Sequence, residues 1–508
     1  MKTIKNMKIF KTPFLVFFIM IVSACELEEV APFLDKTVYE DPQTAQASVK
    51  GIYAGLTTYN AKERGIFVIN GFSGLFITGK NGQRISNPNN ANLFSLNPTY
   101  DADSEAMWGA YYSVISRCNG AIQYTTMGQD PIFDNVVGHA YFLRAYSYFQ
   151  LVRLWGDIPL WIELPNSTNL HKAISPAKDI YSQIINDVKQ AASLMNESLG
   201  SGYPLKFAAN MLLAKVYMTL ATNSSLHDGF KSEGEYWQMA YDEAIKVKNS
   251  GNYSLHNSYE DLFTLSGENT RESIFEYQLS EQASNSQLGR NFTPWKYKVG
   301  MHYGWFSVHA DVYDAHVATY PSDPRLEGTY LHYYQRADNG ADVKVYPSAG
   351  RNNFRASHPY LFKFAEKDKS HAAQYNSQNY IVYRYADLLL MLAEISNELS
   401  RDSEAMGYIE EVLARVGLTP HLSYHGGQSS FRDAIMKEYR FELLGEGEDS
   451  HNNRRRGYTY FLNNTILPHN NNPNFNSQYD LTLNTDEARL MNLPIPLGEV
   501  TTNDLIDD

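Results

Sequence analysis

The chain has 508 residues, 43% of them hydrophobic, with 56 acidic residues against 43 Lys and Arg and a net charge of −13. Grip on a nucleic-acid backbone needs clustered positive charge, so this acidic balance excludes nucleic acid as a partner. Two cysteines in so long a chain exclude a disulfide framework, and the scaffold must be held by packing.

Lys2, Lys5, Lys8 and Lys11 precede Pro13 to Val22, PFLVFFIMIV. That apolar run is about ten residues, against the roughly 20 a bilayer span requires. The pattern predicts an export signal over residues 1–24, outside the fold. Val22-Ser23-Ala24-Cys25 then ends in a thiol where an ordinary signal ends in a small residue, and it resembles a bacterial lipobox. The resemblance implies acylation of Cys25 as the first residue of the mature chain, with two or more chains needed for a firm hold. Glu26, Glu28 and Glu29 resemble the acidic tag of surface-exposed lipoproteins. Cys118 lies on the apolar spacing of a helix and is expected to act as a small core hydrophobe.

From Asp103 the residues Trp108, Tyr111, Ile115 and Ile122 recur at helical spacing, and a second helix is expected from Asp134 to Trp155. Gly156 stops it and Pro159 prevents continuation. Ser175-Pro176 reads as an N-cap and a first-turn proline leading into Ile180, Ile184, Val188 and Met195. Further helices are predicted at 206–222, 235–249, 379–399, 402–416 and 429–444. The pairs 206–249 and 379–416 have the small-residue texture of tetratricopeptide-like (TPR-like) hairpins, which bury their faces by stacking on neighbours. The fold class is therefore mostly α: TPR-like helix hairpins packed against a loop-rich region with short strands.

Two segments break the helical period. Residues 255–370 are rich in Gly, Asn, Pro and Tyr, and 16 of the 73 residues from Phe292 to Phe364 are aromatic, against 13% overall. A smaller irregular insert is expected at 62–103. Long loops within a compact domain tend to carry function.

Catalytic patterns are missing from the sequence. Ser73 in NGFSGL lacks the G-x-S-x-G frame, and there is no H-E-x-x-H, P-loop or G-x-G-x-x-G. His421 and His425 flank a turn, so a shared metal is not expected there. Glu442, Glu446, Glu448 and Asp449 read as ion-paired structure beside Arg454 to Arg456, themselves read as a solvated or dipole-complementing cluster. No cofactor is expected. Binding fits better, because flat rings in loops give rigid contact area while Asn, Asp and Arg beside them read hydroxyls.

Several stretches together resemble the SusD/RagB family of outer-membrane nutrient-binding lipoproteins. They are VYEDPQTAQASVKGIYAGL (38–56), MWGAYYSVISRCNGAI (107–122), HAYFLRAYSYFQLVRLWGDIPL (139–160), ESIFEYQ (272–278), DPRL (323–326), YIVYRYADLLLMLAEISNEL (380–399) and LMNLPIPLGEV (490–500). The resemblance implies one SusD-like domain over 25–508, with TPR-like helices at about 39–59, 104–249 and 379–444, and no enzymatic activity. It also implies a SusC-like TonB-dependent transporter as partner, a place on the outer membrane facing the cell exterior, and ligands that are most often oligosaccharides, in some members peptides. One motif departs from the pattern: Arg440, Glu442, Glu446 and Gly447 fit, but Asp449 stands where Arg is usual and Asn452 where Asp is usual.

The predicted ligand site is built from the 280–306 loop and the 62–103 insert. Trp295, Tyr297, Tyr303 and Trp305 are its stacking platforms, and Arg84, Asn89, Asn90, Asp101, Arg290 and Asn291 its polar readers. Trp108 and Trp155, on helical stripes, belong to the core. Rival readings are peptide capture on the same scaffold, a glycosidase, and a purely structural TPR scaffold.

Overall fold

The computed structural model describes residues 36–506 apart from 79–91, 167–168, 196–198, 201, 228, 230, 283, 301, 348–357, 368–375, 474–479 and 484–486. The expected export signal and Cys25 lie outside the described residues, as do Arg84, Asn89 and Asn90.

Helices dominate. α1 (Pro42–Leu56) begins where Asp41 accepts hydrogen bonds from the backbone of Gln43 and Thr44, with proline at the first helical position. α2 (Glu63–Gly71) and β1 (Phe76–Thr78) follow. α2 lies inside the insert expected to be irregular; its nine residues are almost all buried, so their apolar run serves a buried helix rather than a loop. Ser73 is buried in the turn after α2, where its hydroxyl donates to the Asn70 carbonyl and accepts from the Leu75 amide.

α3 (Ala102–Tyr124), α4 (Pro131–Trp155), α5 (Ala177–Leu194), α6 (Lys206–Thr222) and α7 (Glu233–Asn249) pack in succession. α4 and α6 are buried on nearly every face, whereas α5 buries one stripe: Ile180, Tyr181, Ile184, Asp187, Val188 and Ala191. Helices buried all round form the centre, and one-sided helices cover them. α5 starts at Ala177, later than Ser175-Pro176 suggests. Its first amide is capped from a distance, by Asp157 Oδ1 at 2.7 Å from the Ala177 nitrogen, while Ile174 and Ser175 pair with Ile158 and Pro159 as short strands. Trp108 and Trp155 are core residues in edge-to-face contact, 5.3 Å between centroids. Cys118 is fully buried and its thiol is pushed up by desolvation, as a small core hydrophobe should be.

The loop-rich region contributes β2 (Ser273–Tyr277), α8 (Leu288–Phe292), β3 (Phe306–Val308), α9 (Ala310–Thr319), β4 (Tyr330–Leu331), β5 (Tyr360–Leu361) and β6 (Tyr380–Arg384). One antiparallel sheet runs in the order β1, β3, β5, β4, and β2 pairs antiparallel with β6. YIVYR at 380–384, read as the start of a helix, is strand β6: its β-branched and aromatic residues suit a pleat, and helix starts only at α10 (Tyr385–Glu398). α11 (Asp402–Ala414), α12 (Gln428–Leu443) and α13 (Glu448–Arg455) complete the set used below. α10 is also buried all round and packs on α7, α11 and α12.

Helices and loops are joined by a buried ion network. Arg384 reaches Glu446 at 2.6 Å, Glu442 at 2.6 Å and Glu272 at 2.9 Å. Arg325, in the DPRL stretch, reaches Glu438 at 2.6 Å, Glu442 at 2.8 Å and Asp323 at 2.7 Å. Arg415 also pairs with Glu442, and Lys363 with Glu446 at 2.6 Å. The acid cluster is thus ion-paired, mostly by cations distant in sequence. Nor is the Arg454 to Arg456 run solvated: Arg455 and Arg456 are drawn in to Glu394, and Arg454 is buried with its guanidinium 4.1 Å from the Phe72 ring and 4.3 Å from that of Phe461. At the departure from the family pattern, Asp449 lies 3.6 Å from Arg440 and accepts from Asn453. An acid at 449 therefore finds its cation within the same motif.

Candidate functional site

The chain from 288 to 308 doubles back on itself. The Tyr303 amide donates to the Arg290 carbonyl at 2.8 Å and the Trp305 amide to that of Asn291 at 2.6 Å. Gly304 between them has φ +54°, and a Cβ there would stand 2.8 Å from the Tyr360 ring and 3.1 Å from Pro294 Cα, so the bend requires glycine. Its result is a pair of parallel rings, Tyr303 and Trp305, with centroids 4.9 Å apart and planes 5° from parallel. The Arg290 guanidinium lies 4.3 Å from the Tyr303 centroid and donates to its hydroxyl.

Trp295 is 54% exposed, more than any other large aromatic among the described residues of the region. Its backbone is tied down although its ring is not covered. The Trp295 carbonyl accepts from Tyr334 at 3.4 Å, and the Lys296 carbonyl accepts from the Ala337 amide at 3.0 Å. Lys296 places its ammonium 4.2 Å from the Trp295 ring and pairs with Asp338 at 2.7 Å. Lys298 pairs with Glu366. His302 shares a 2.6 Å hydrogen bond with Thr293, and burial together with Lys298 and Arg290 lowers its pKa to about 4, leaving it neutral at pH 7.

The residues singled out from sequence fall into three groups. Trp295, Tyr303, Trp305, Arg290 and Asn291 share this one doubled-back segment. Trp305, Arg290 and Asn291 are largely buried and shape the site from beneath. Tyr297 and Asp101 have other work. Tyr297 is 2% exposed, with its ring packed edge-on against Tyr334 and Phe362, so it is core rather than a stacking platform. Asp101 caps α3: one carboxylate oxygen accepts from the Asp103 and Ser104 amides and the other from the Ser104 hydroxyl. Arg84, Asn89 and Asn90 lie outside the described residues, but the strand leading towards them is placed. β1 pairs with β3, setting Thr78 opposite Phe306, the neighbour of Trp305.

Sequence reasoning passes over Lys296, Lys298 and His302. The two lysines have a signal in the K-x-K alternation around Tyr297, of which Lys296 lies beside the exposed indole and Lys298 is buried against Glu366. A separate cavity of about 1290 Å3 opens among α4, α6 and the C-terminal residues, lined by Tyr100, Trp155, Lys215, Arg454 and Asn492 among others. None of the described candidate residues lines it. Ring stacking needs a flat face open to solvent; Trp295 supplies one on the candidate segment, as the exposed Tyr100 does in the cavity lining.

Among known proteins, the chain is 26% identical to SusD-like protein P2 of Formosa agariphila over 98% of both chains. It superposes on a SusD homolog from Bacteroides thetaiotaomicron with a TM-score of 0.73 at 20% identity, covering 93% of this chain and 97% of that one. A structure described as a laminarin binding SusD-like protein matches with a TM-score of 0.69 at 20% identity over 92% and 98%. Residues 33–218 match the family described as starch-binding associating with outer membrane. Residues 218–507, more than half the chain, match the SusD family itself, and the chain belongs to that family.

Proposed function

We propose that this protein captures oligosaccharides at the surface of the outer membrane and delivers them to a TonB-dependent transporter, held in place by acyl chains on Cys25, and that it catalyses no reaction on them. The observation carrying this reading is the open Trp295 face on the same doubled-back segment as the Tyr303–Trp305 ring pair and Arg290. A pyranose offers an apolar CH face to a ring and hydroxyls to the cations and amides at its edge. Stacking one sugar removes about 150 Å2 from water, a gross few kcal/mol at about 25 cal/mol/Å2, much of it offset by lost freedom on association. Weak binding of this kind suffices for a tethered receptor, because tethering raises the effective concentration of captured ligand at its next station. The description of one structural relative as laminarin-binding makes β-glucans the first ligands to try.

The test is affinity electrophoresis of the mature chain through a panel of plant, microbial and algal glycans, with oligopeptides in parallel by calorimetry. Retardation by a glycan, reduced in Trp295→Ala, supports capture. Peptide binding with no glycan retardation would transfer the site to peptides, and shortening of the polysaccharide on long incubation would make the protein an enzyme. Loss of labelled fatty acid in Cys25→Ala checks the anchor.

A further inference from the structure

β3 ends at Val308, and the next residues carry a different chemistry. His309 holds the N-cap position of α9 without a side-chain capping bond, Asp311 lies in the first turn of that helix, and His469 comes from the short helix Leu467–Asn470. The ligand atoms these three offer all lie within 4.8 Å of one another. The His309 and His469 rings are 4.0 Å apart between centroids, and His469 Nδ1 is 2.9 Å from Asp311 Oδ1. His358 stands edge-on to His309 at 5.8 Å and accepts the Ala310 amide on Nδ1 at 3.1 Å.

His309 is 1% exposed, and neither of its ring nitrogens has a hydrogen-bond partner among the described residues. A neutral imidazole has one nitrogen that donates and one that accepts, and leaving either unsatisfied in the interior costs about 1–3 kcal/mol. Packing alone gives no reason to place a histidine here. A metal ion does, since it replaces a missing hydrogen-bond partner with a coordinate bond. The donor set selects the kind of ion: two imidazoles and a carboxylate suit zinc and its transition-metal neighbours, whereas calcium and magnesium take oxygen ligands. Ligands at about 2.0–2.1 Å around a tetrahedral ion stand roughly 3.4 Å from one another, which small side-chain rotations reach from the spacing present. His469 Nδ1 and Asp311 Oδ1, 2.9 Å apart, already stand close to that ligand-pair spacing.

We propose that His309, Asp311 and His469 bind one divalent transition-metal ion. The ion joins the start of α9 to the 467–470 segment, at the opposite end of β3 from Trp305. The His309 amide donates to the Leu75 carbonyl at 2.9 Å, next to β1, so the ion also braces the strand that runs out towards residue 79. Its role is structural: it fixes the base of the two strands that lead to the ring site.

The untagged full chain, freed of metal with EDTA and dialysed, is titrated with Zn2+ by calorimetry and melted with and without the ion. The expected result is one Zn2+ per chain, a higher Tm with Zn2+, and affinity lower by about 100-fold or more in His309→Ala and in His469→Gln. No uptake and no change in Tm for the wild type would overturn the proposal, as would wild-type affinity in both variants. Should the variants fail to fold, Co2+ added to the wild type decides. Visible absorption bands of a four-coordinate ion with nitrogen and oxygen ligands support the site, and a spectrum of hydrated Co2+ overturns it.

Discussion

Trp295 and Trp305 respond differently to truncation because one ring faces solvent and the other is 8% exposed. Trp295→Ala is expected to leave the Tm unchanged and to weaken glycan binding by about 1–2 kcal/mol, roughly 5- to 30-fold in Kd, as stacked ring area is lost. Trp305→Ala should destabilise the fold by about 3–5 kcal/mol, so its effect on binding has to be measured well below its lowered Tm. Calorimetry beside differential scanning of both variants checks the contrast; equal melting curves would mean that Trp305 is not packed as described. A second residue carries structure through charge rather than through ring packing. Glu442 accepts from Arg325, Arg384 and Arg415 in the buried network, and Glu442→Gln leaves these guanidinium groups short of one negative charge. A loss of about 3–5 kcal/mol in urea unfolding is expected. The local sequence announces the ring density and the acid cluster, yet not which rings are covered. Trp295 and Tyr297 are two residues apart with opposite fates, because Tyr297 is covered by Tyr334 and Phe362 from later in the chain.

At the scale of elements, period and caps place the long helices well, and the errors fall where a distant partner decides. The cap of α5 is Asp157, twenty positions before the amide it serves, so no local pattern reveals it. YIVYR becomes strand because β2 offers it an edge. The doubled-back segment at 288–308 has no period at all; its shape comes from two backbone hydrogen bonds and the left-handed residue Gly304. Gly304→Ala adds a Cβ that meets Tyr360 and Pro294 on a backbone that L side chains avoid, at an expected cost of about 1–3 kcal/mol. Because the bend sets the angle between Tyr303 and Trp305, glycan affinity should fall as well. A variant with lowered Tm and wild-type affinity would show that the parallel ring pair is not part of the ligand surface.

Over the whole molecule, the family motifs prove to be chiefly scaffold. The DPRL stretch and the partly matching Arg-x-Glu motif meet in the buried ion network, whereas the ring site at 288–308 precedes both, in a segment between ESIFEYQ and DPRL that no motif describes. Ion pairs there must survive burial, and acid should find them first. Arg455, Arg456 and Tyr439 lower the Glu394 carboxyl to about 2, and His316 and Arg325 lower that of Asp323 to about 2, in both cases against a desolvation that acts the other way. Glu442 is held well below its ordinary value by Arg415, Arg384 and Arg325, again against desolvation. The unfolded chain binds protons at these carboxylates near pH 4, before the folded chain does. Their stabilisation is therefore complete above about pH 4.5 and is lost as pH falls towards 2. Glu276 works in the opposite sense, since burial raises it, so its penalty is relieved on acidification above that window. The expected urea midpoint is level or slightly rising from pH 7 to 5 and drops steeply from 4.5 to 2.5. Glu394→Gln, unable to titrate, should be less stable at pH 7 and show a shallower acid limb. A wild-type midpoint that holds from pH 4.5 to 2.5 would mean that these pairs do not govern stability, and the packing of α4, α6 and α10 would have to carry the fold by itself.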